Sequence, residues 1–526
     1  MNTILVAINS KFSHSNLAVR YLSDYLRRNA QINVSFLELT INQDVDYMLA
    51  KILENKPDVI GFSCYIWNIE LVLQIAETIK IDNSDMSIIL GGPEVSFESL
   101  QTMENYPFID YIIRGEGELP LHNLMVAMVR QESVEDIPGL THRVNNSIVV
   151  NEDQNSYVAL DDLSYPYLVS EDFSNQYIYY ETTRGCPFNC SFCLSSSEQG
   201  VRKLSLERIR EDLLKLVKTK ANAIKLVDRT FNFDKNRAME IMSYIVEINK
   251  NNLKFHMELT AEILDDEFIG FINQLPVDMF QFEIGVQSTN PKTLLAVNRR
   301  SDYQKLAEIT SRIIEGKNAH VHLDLIAGLP YESYDIFKKS FNEIYNLRAE
   351  KLQLGFLKVL KGTNIRANAD LYGIRYLEKA PYEVIRTNDI TLSELLSLKK
   401  IEKLVTLYYD EHYFINTLEF VMEFTTPFDF FENFAGYWTM HSLFDSYHKK
   451  STLFDHLFGF IQESYQLDVR DSMLDDFLLS EKNIEIPKYL FNEEEKQYAH
   501  LKHALLARSS ESLVNATAAS KTSLAS

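Results

Sequence analysis

The sequence predicts an α/β protein in three parts: a doubly wound parallel sheet, then a partial (β/α)6 barrel, then a helical region. Three observations carry this. Residues 1–135 alternate short apolar runs with helically spaced segments. Residues 177–370 do so again after a polar connector. Beyond 371 the strand signal fades and aromatic residues recur at helical spacing. At 526 residues the chain is too long for one core and implies two to four domains.

In the first part, residues 3–8, 34–39, 59–64, 87–90 and 111–113 read as strands. The segments 17–28, 47–54, 69–79, 96–103 and 119–129 have helical spacing, with Leu17, Tyr21, Leu22 and Leu26 marking the first. Ligands of such sheets bind beyond the C-terminal strand ends. Two glycine-rich loops lie at that edge, Gly91-Gly92-Pro93-Glu94 and Arg114-Gly115-Glu116-Gly117-Glu118. Residues 136–176, with Pro138 and Pro166, read as a linker. Strands are then predicted at 177–182, 223–227, 254–259, 279–284, 320–327 and 351–359, with crossover helices between them. Residues 371–508 read as a helical domain whose aromatics (Phe430, Phe431, Phe434, Tyr437, Trp438) form its core. The Ser/Ala/Thr-rich stretch 509–526 reads as a disordered tail.

Composition narrows the function. Hydrophobic content of 46% and charged content of 24% are ordinary for a globular protein. No apolar run approaches the ~20 residues of a membrane-spanning helix. Residues 1–8 read as a strand without a basic region or cleavage site, so a cytoplasmic protein is expected. A net charge of −22 argues against general affinity for nucleic acid.

Of the 4 cysteines, three lie in Arg184-Gly-Cys186-Pro-Phe-Asn-Cys190-Ser-Phe-Cys193. The fourth, Cys64, sits in an apolar strand and reads as a small core residue. Clustered thiols do not form a disulfide framework, and structural zinc usually takes four protein ligands from paired C-x2-C units. Three thiolates at C-x3-C-x2-C spacing after a strand can instead hold three corners of a 4Fe–4S cluster. The fourth iron stays open to a small-molecule ligand.

With this motif the sequence resembles the radical S-adenosylmethionine (SAM) superfamily, in the branch with an N-terminal cobalamin-binding, Rossmann-like domain. The resemblance spans roughly residues 1–370. It implies a cluster on Cys186, Cys190 and Cys193 that cleaves SAM reductively to a 5′-deoxyadenosyl radical. Phe192 matches the residue that meets adenine. Lys225-Leu-Val-Asp228-Arg229 resembles the second-strand motif, and Phe255-His-Met-Glu258 resembles the third-strand segment whose Glu contacts SAM. Phe282-Glu-Ile-Gly285-Val-Gln287-Ser288 with Arg299 resembles the fourth, where Gln meets the ribose and Arg the SAM carboxylate. His322-Leu-Asp324-Leu-Ile-Ala-Gly328-Leu-Pro330 resembles the fifth, with Asp324 on the ribose, and 354–362 the closing strand. Strand alternation puts His256 with Glu258, and His322 with Asp324, on shared faces. His256, His322 and Asp228 are the candidates for catalytic groups.

For the first domain the resemblance implies cobalamin held near His14, Gly91, Gly92, Gly115 and Glu116. The D-x-H-x-x-G motif that supplies an axial histidine elsewhere is absent: Lys11-Phe12-Ser13-His14-Ser15-Asn16-Leu17 has Phe12 and Leu17 in place of Asp and Gly. His14 is therefore not expected to ligate cobalt. The leading expectation is a cobalamin-dependent methyltransferase, or another radical enzyme, acting on a small or lipid-like molecule with a reductant such as flavodoxin or ferredoxin. The alternative is an RNA-modifying enzyme of the methylthiotransferase type, disfavoured by acidic charge and too few cysteines. A non-enzymatic metal-binding regulator would leave the SAM motifs without purpose.

Overall fold

The structure is a computed structural model that describes residues 1–30, 32–145, 147–168, 171–197, 200–480 and 486–491. The described chain forms two compact units. One comprises Met1–Phe337 with Leu354–Leu392; the other starts with Lys338–Gln353 and resumes at Ser393.

The first unit holds a seven-stranded sheet and most of a six-stranded one, besides two two-stranded pairs. Strands β1 (Asn2–Asn9), β2 (Asn33–Thr40), β3 (Val59–Ser63), β4 (Ser87–Gly91) and β5 (Tyr111–Ile113) run parallel in the order β2-β1-β3-β4-β5. Alternate residues go to opposite cores. Ile4, Val6, Ile60, Phe62 and Leu90 pack on one side, and Leu5, Ala7, Val59, Ile89 and Ile113 on the other. That division is the doubly wound arrangement, with the strand order reversing beside β1. Two further strands extend the sheet, β6 (Leu140–Val144) antiparallel to β5 and β7 (Ser147–Val150) antiparallel to β6. Their region reads as a connector in sequence because they are short and largely polar on one face.

The second sheet contains β8 (Tyr177–Tyr180), β11 (Ala223–Leu226), β12 (Lys254–Leu259), β13 (Phe280–Gln287), β14 (His320–Ala327) and β15 (Lys351–Phe356). Its order is β15-β14-β13-β12-β11-β8, with β8 through β14 parallel. This is the open six-stranded array expected of a partial barrel. Between β8 and β11 a two-stranded pair, β9 (Thr183–Arg184) and β10 (Arg202–Lys203), closes the neck of the cysteine loop. In β13, Phe280, Phe282, Ile284 and Val286 are fully buried, while Gln281, Glu283, Gly285 and Gln287 share the other face. The sheet thus presents one apolar face and one polar face.

The second unit is helical, with helices Ile415–Val421, Pro427–Met440, Lys450–Ser464 and Arg470–Ser480. Phe414, Phe430, Phe431, Phe434, Trp438 and Phe460 are buried within it and account for its aromatic stripes. The tail expected at 509–526 lies outside the described residues. No helix among the described residues is long and apolar enough to cross a membrane.

Candidate active site

The cysteine loop leaves the C-terminal end of β8 and is fixed from below. Asp228, fully buried, accepts hydrogen bonds from the Thr182 backbone N–H (2.9 Å), the Thr182 hydroxyl (2.5 Å) and the Thr183 hydroxyl (2.6 Å). Its carboxylate is committed to anchoring the loop, so the structure gives this candidate a positioning geometry. Gly185 has φ +98°, and a Cβ there would overlap the Gly200 carbonyl oxygen. Cys190 is 8% exposed; Cys186 and Cys193 are half-buried. The Ser191 N–H donates to the Val297 carbonyl (2.9 Å), and Cys193 N–H donates to Cys190 O (3.1 Å). Cys186, Cys190, Thr260, Asn298 and Arg299 line a cavity of about 610 Å³. Arg299 Nη1 donates to Cys190 Sγ at 3.9 Å. Among the described residues no three His, Cys, Asp or Glu side chains converge on a single-ion position. Cys64 is sealed in the first sheet, where burial raises its thiol pKa and leaves it inert.

Gly285 is the hub of the residues expected to bind SAM. Arg299 Nη2 donates to the Gly285 carbonyl, and the Gln287 amide occupies the space a Cβ on Gly285 would fill. Asp324 is the register partner of Gly285 on β14. A register shift between Gly285 and Gln287 leaves Gln287 at φ +70°, a conformation that a side-chain-bearing residue adopts at a cost. Gln287 Oε1, Asp324 Oδ1 and Arg299 Nε are all buried without a hydrogen-bond partner. Each such atom costs about 1–3 kcal/mol until something satisfies it. Three of them stand around one glycine, beside the cysteine loop, as an unsatisfied polar cradle. Phe192 lies half-buried in the turn between Cys190 and Cys193.

The polar face of the sheet carries a hydrogen-bonded ladder. Gln281 Nε2 reaches both His256 Nδ1 (3.2 Å) and His322 Nδ1 (3.1 Å), and His256 Nε2 meets Glu283 Oε2 at 2.9 Å. An amide nitrogen has two protons to donate, so Gln281 fixes both imidazoles with Nδ1 as acceptor and the proton on Nε2. Glu283 is held below the usual carboxylate range, first by the His256 hydrogen bond. Asp324 is raised by burial and by the Glu283 charge beside it, so Asp324 keeps the shared proton. Burial pushes the Glu258 carboxyl up to about 7. Glu283 and Gln281 were not singled out from sequence, although their period-2 spacing with Gly285 and Gln287 places them on this face.

At the C-terminal edge of the first sheet a second cavity, of about 540 Å³, is lined by all five residues expected there: His14, Gly91, Gly92, Gly115 and Glu116. Their chemistry differs. A Cβ on Gly91 would meet nothing closer than 3.9 Å, whereas a Cβ on Gly92, at φ +108°, would stand 2.6 Å from the Cys64 carbonyl oxygen. Gly91 therefore keeps space open, and Gly92 is required by its own backbone. His14 Nδ1 is taken by the Tyr179 hydroxyl (3.0 Å). Glu116 pairs with both Arg184 and Arg202. Tyr65 and Trp67, stacked at 4.4 Å, add an aromatic wall that sequence reasoning missed. Arg184 joins the two sites: it lines this cavity, stands two residues before Cys186, and binds Glu116 (2.6 Å), Glu118 (2.9 Å) and Glu181 (2.6 Å).

Comparisons with known proteins follow the same division. A B12-binding domain family matches residues 3–125 and the radical SAM superfamily residues 180–344. A family described as a protein of unknown function (DUF4080) matches residues 370–525. The chain is 24% identical over 354 residues to the cobalamin-dependent radical SAM methyltransferase TokK of Streptomyces tokunonensis, covering 62% of this chain and 51% of that protein. The chain spans about half the length of the curated relatives it matches first. In fold it is similar to the cobalamin-dependent SAM radical enzyme OxsB with aqua-cobalamin bound (TM-score 0.65, 15% identity, 93% of this chain and 82% of that one). It is also similar to the radical SAM methyltransferase TsrM from Kitasatospora setae with cobalamin and a [4Fe-4S] cluster bound (TM-score 0.61, 16% identity, 72% and 81%).

Proposed function

We propose that the chain, whose residues 3–125 match a B12-binding domain and whose residues 180–344 match the radical SAM superfamily, is a cobalamin-dependent radical SAM methyltransferase acting on a small molecule. One observation carries the reading. The cysteine loop with its unsatisfied cradle at Gln287, Asp324 and Arg299, and the glycine-floored cavity at Gly91, belong to one compact unit and share Arg184. Cys186, Cys190 and Cys193 would hold the cluster. Gln287, Arg299, Asp324 and Glu258 would hold SAM, with Phe192 at its adenine, and the cavity lined by Gly91, Gly115 and Glu116 would take cobalamin. When bound, these groups supply an electron, a carbon-centred radical and a transferable methyl group.

The chain's own residues set the conditions for that chemistry. Burial raises the Cys190 thiol pKa, and the positive charge of Arg299 beside it opposes that rise. Asp228 and the β9–β10 pair keep the loop closed. Gln281 holds His256 and His322 at Nδ1, and His256 turns its Nε2–H to Glu283. His14, engaged by Tyr179, faces the cavity without the flanking residues of an axial-ligand motif. With Cys64 sealed away, none of the 4 cysteines remains for the second cluster of an RNA methylthiotransferase. A reducing cytoplasm and a flavodoxin- or ferredoxin-type reductant fit the same reading.

The test is anaerobic reconstitution with iron, sulfide and hydroxocobalamin, followed by mass analysis after addition of SAM and reductant. The proposal requires bound corrinoid and cleaved SAM. Cleaved SAM without corrinoid binding would remove the methyl carrier and leave a different radical reaction.

A further inference from the structure

The polar face of the second sheet carries a lysine, Lys225, that makes no ion pair among the described residues. Lys225 on β11 stands in register between Tyr179 of β8 and His256 of β12. It is half-buried, and burial lowers its pKa. Glu283 and Glu258 lie within electrostatic reach, but among the described residues no carboxylate approaches its Nζ within 4.0 Å. Its Nζ lies 5.7 Å from the centre of the Tyr177 ring.

A loop of the first domain brings more positive charge to the same place. Residues after β1 run alongside β8: Tyr177 N–H donates to Ser13 O (2.6 Å), and His14 bridges to Tyr177 as a parallel strand would. The His14 ring stands edge-on to Tyr177 at 6.0 Å, so Tyr177 has His14 and Lys225 as neighbours. Lys11, three residues before His14, is exposed. It has no ion pair among the described residues, and the His14 pKa is lowered by burial first and then by the charges of Lys225 and Lys11. Like charges brought together cost energy unless an anion sits among them. In a chain of net charge −22, such a focus is a local exception that attracts an anion the rest of the surface repels.

We infer that Lys225, Lys11 and His14, with the Tyr179 hydroxyl, form an anion-binding subsite that receives a phosphate or carboxylate group of the substrate. The inference rests on the proposed function for the word substrate, and it narrows that substrate to a polar, anionic small molecule. A purely lipid-like molecule would leave the ammonium of Lys225 desolvated and unpaired. The subsite lies between the cavity of the first sheet, which Tyr179 and His14 line, and the ladder His256–Gln281–His322 that leads to Asp324. An anionic group held at Lys225 would therefore tether one end of a substrate between the two cofactor sites.

The test uses the full-length protein and two probes, inorganic phosphate and acetate, titrated by calorimetry with and without saturating hydroxocobalamin. We expect saturable binding of at least one probe. Lys225→Met should weaken it roughly ten- to a hundredfold, and Lys11→Met by less. Lys225→Met should fold at least as stably as the parent, because it replaces an unpaired, half-buried ammonium by an apolar chain of similar length. Phosphate binding alone points to a phosphorylated substrate, and acetate binding alone to a carboxylate. No saturable binding of either probe, or undiminished binding in Lys225→Met, would overturn the inference. So would loss of binding once hydroxocobalamin is present, since the anion would then belong to the corrinoid. Cys190→Ala should leave these titrations unchanged, so failure of the radical SAM reading would be seen separately, as intact anion binding without SAM cleavage.

Discussion

Gly285→Ala is the sharpest probe of the SAM cradle, because its effect runs through a neighbour. A Cβ at this position would overlap Gln287 Nε2, lie 3.4 Å from Gln287 Cδ and 3.7 Å from Arg299 Nη2. Gln287 has a flexible side chain and can swing away, so the fold should survive with little loss. The displaced amide can then no longer serve SAM. A lost hydrogen bond to a charged or strongly polar ligand costs about 1.5–3 kcal/mol, which weakens SAM binding roughly ten- to a hundredfold. Gln287→Ala should show a loss of the same order, and in Gly285→Ala/Gln287→Ala the two losses should not add, since the second change removes the group that the first displaces. The assay is equilibrium SAM binding to anaerobically reconstituted protein, with iron measured in parallel and expected unchanged. Parental SAM affinity in Gly285→Ala, or fully additive losses in the double variant, would refute the geometry around Gly285.

Further outcomes follow from the same structure. Glu258 has its pKa raised from 4.5 to about 7 by burial, so its stabilising contribution is full below pH 4.5 and lost as pH rises through 7. In cluster-free protein Glu258→Gln should therefore gain stability over the parent above pH 7, by at most on the order of 2–3 kcal/mol, and show a flatter profile between pH 4.5 and 7; parallel denaturation curves at pH 5 and 8 check the sign. Gly91→Leu should fold normally yet fail to shift the hydroxocobalamin spectrum, whereas Gly92→Leu should lower the melting temperature itself by collision with Cys64. Asp228→Asn, by loosening the Thr182–Thr183 anchor, should lose iron faster on exposure to a chelator while Cys64→Ala does not.

The alternation of strand and helix was legible because buried parallel strands leave continuous apolar runs, as in β1 and β3, and the cysteine spacing is local. What escaped the sequence was long-range or weakly patterned. β6 and β7 are short, and their polar residues resemble a linker. Glu116, Glu118 and Glu181 gather on Arg184 across the fold, the first two from 68 and 66 residues away. Asp228 reads as a candidate acid in sequence, since nothing local shows that two threonines claim its carboxylate. The opposite reasons for Gly91 and Gly92 are equally invisible until the Cys64 carbonyl is placed. Lys225 was visible as part of a motif, but its lack of an ion-pairing partner among the described residues is a property of three strands and a loop from another domain.

The central claim is that three thiols at the end of β8 hold a cluster that cleaves SAM. Its most direct test is formation of 5′-deoxyadenosine by reconstituted protein given SAM and a strong reductant. The account predicts product from the parent and from Cys64→Ala, and none from Cys186→Ala, Cys190→Ala or Cys193→Ala. Product from any of those three variants at the parental rate, or its absence from fully iron-loaded parent, would contradict it.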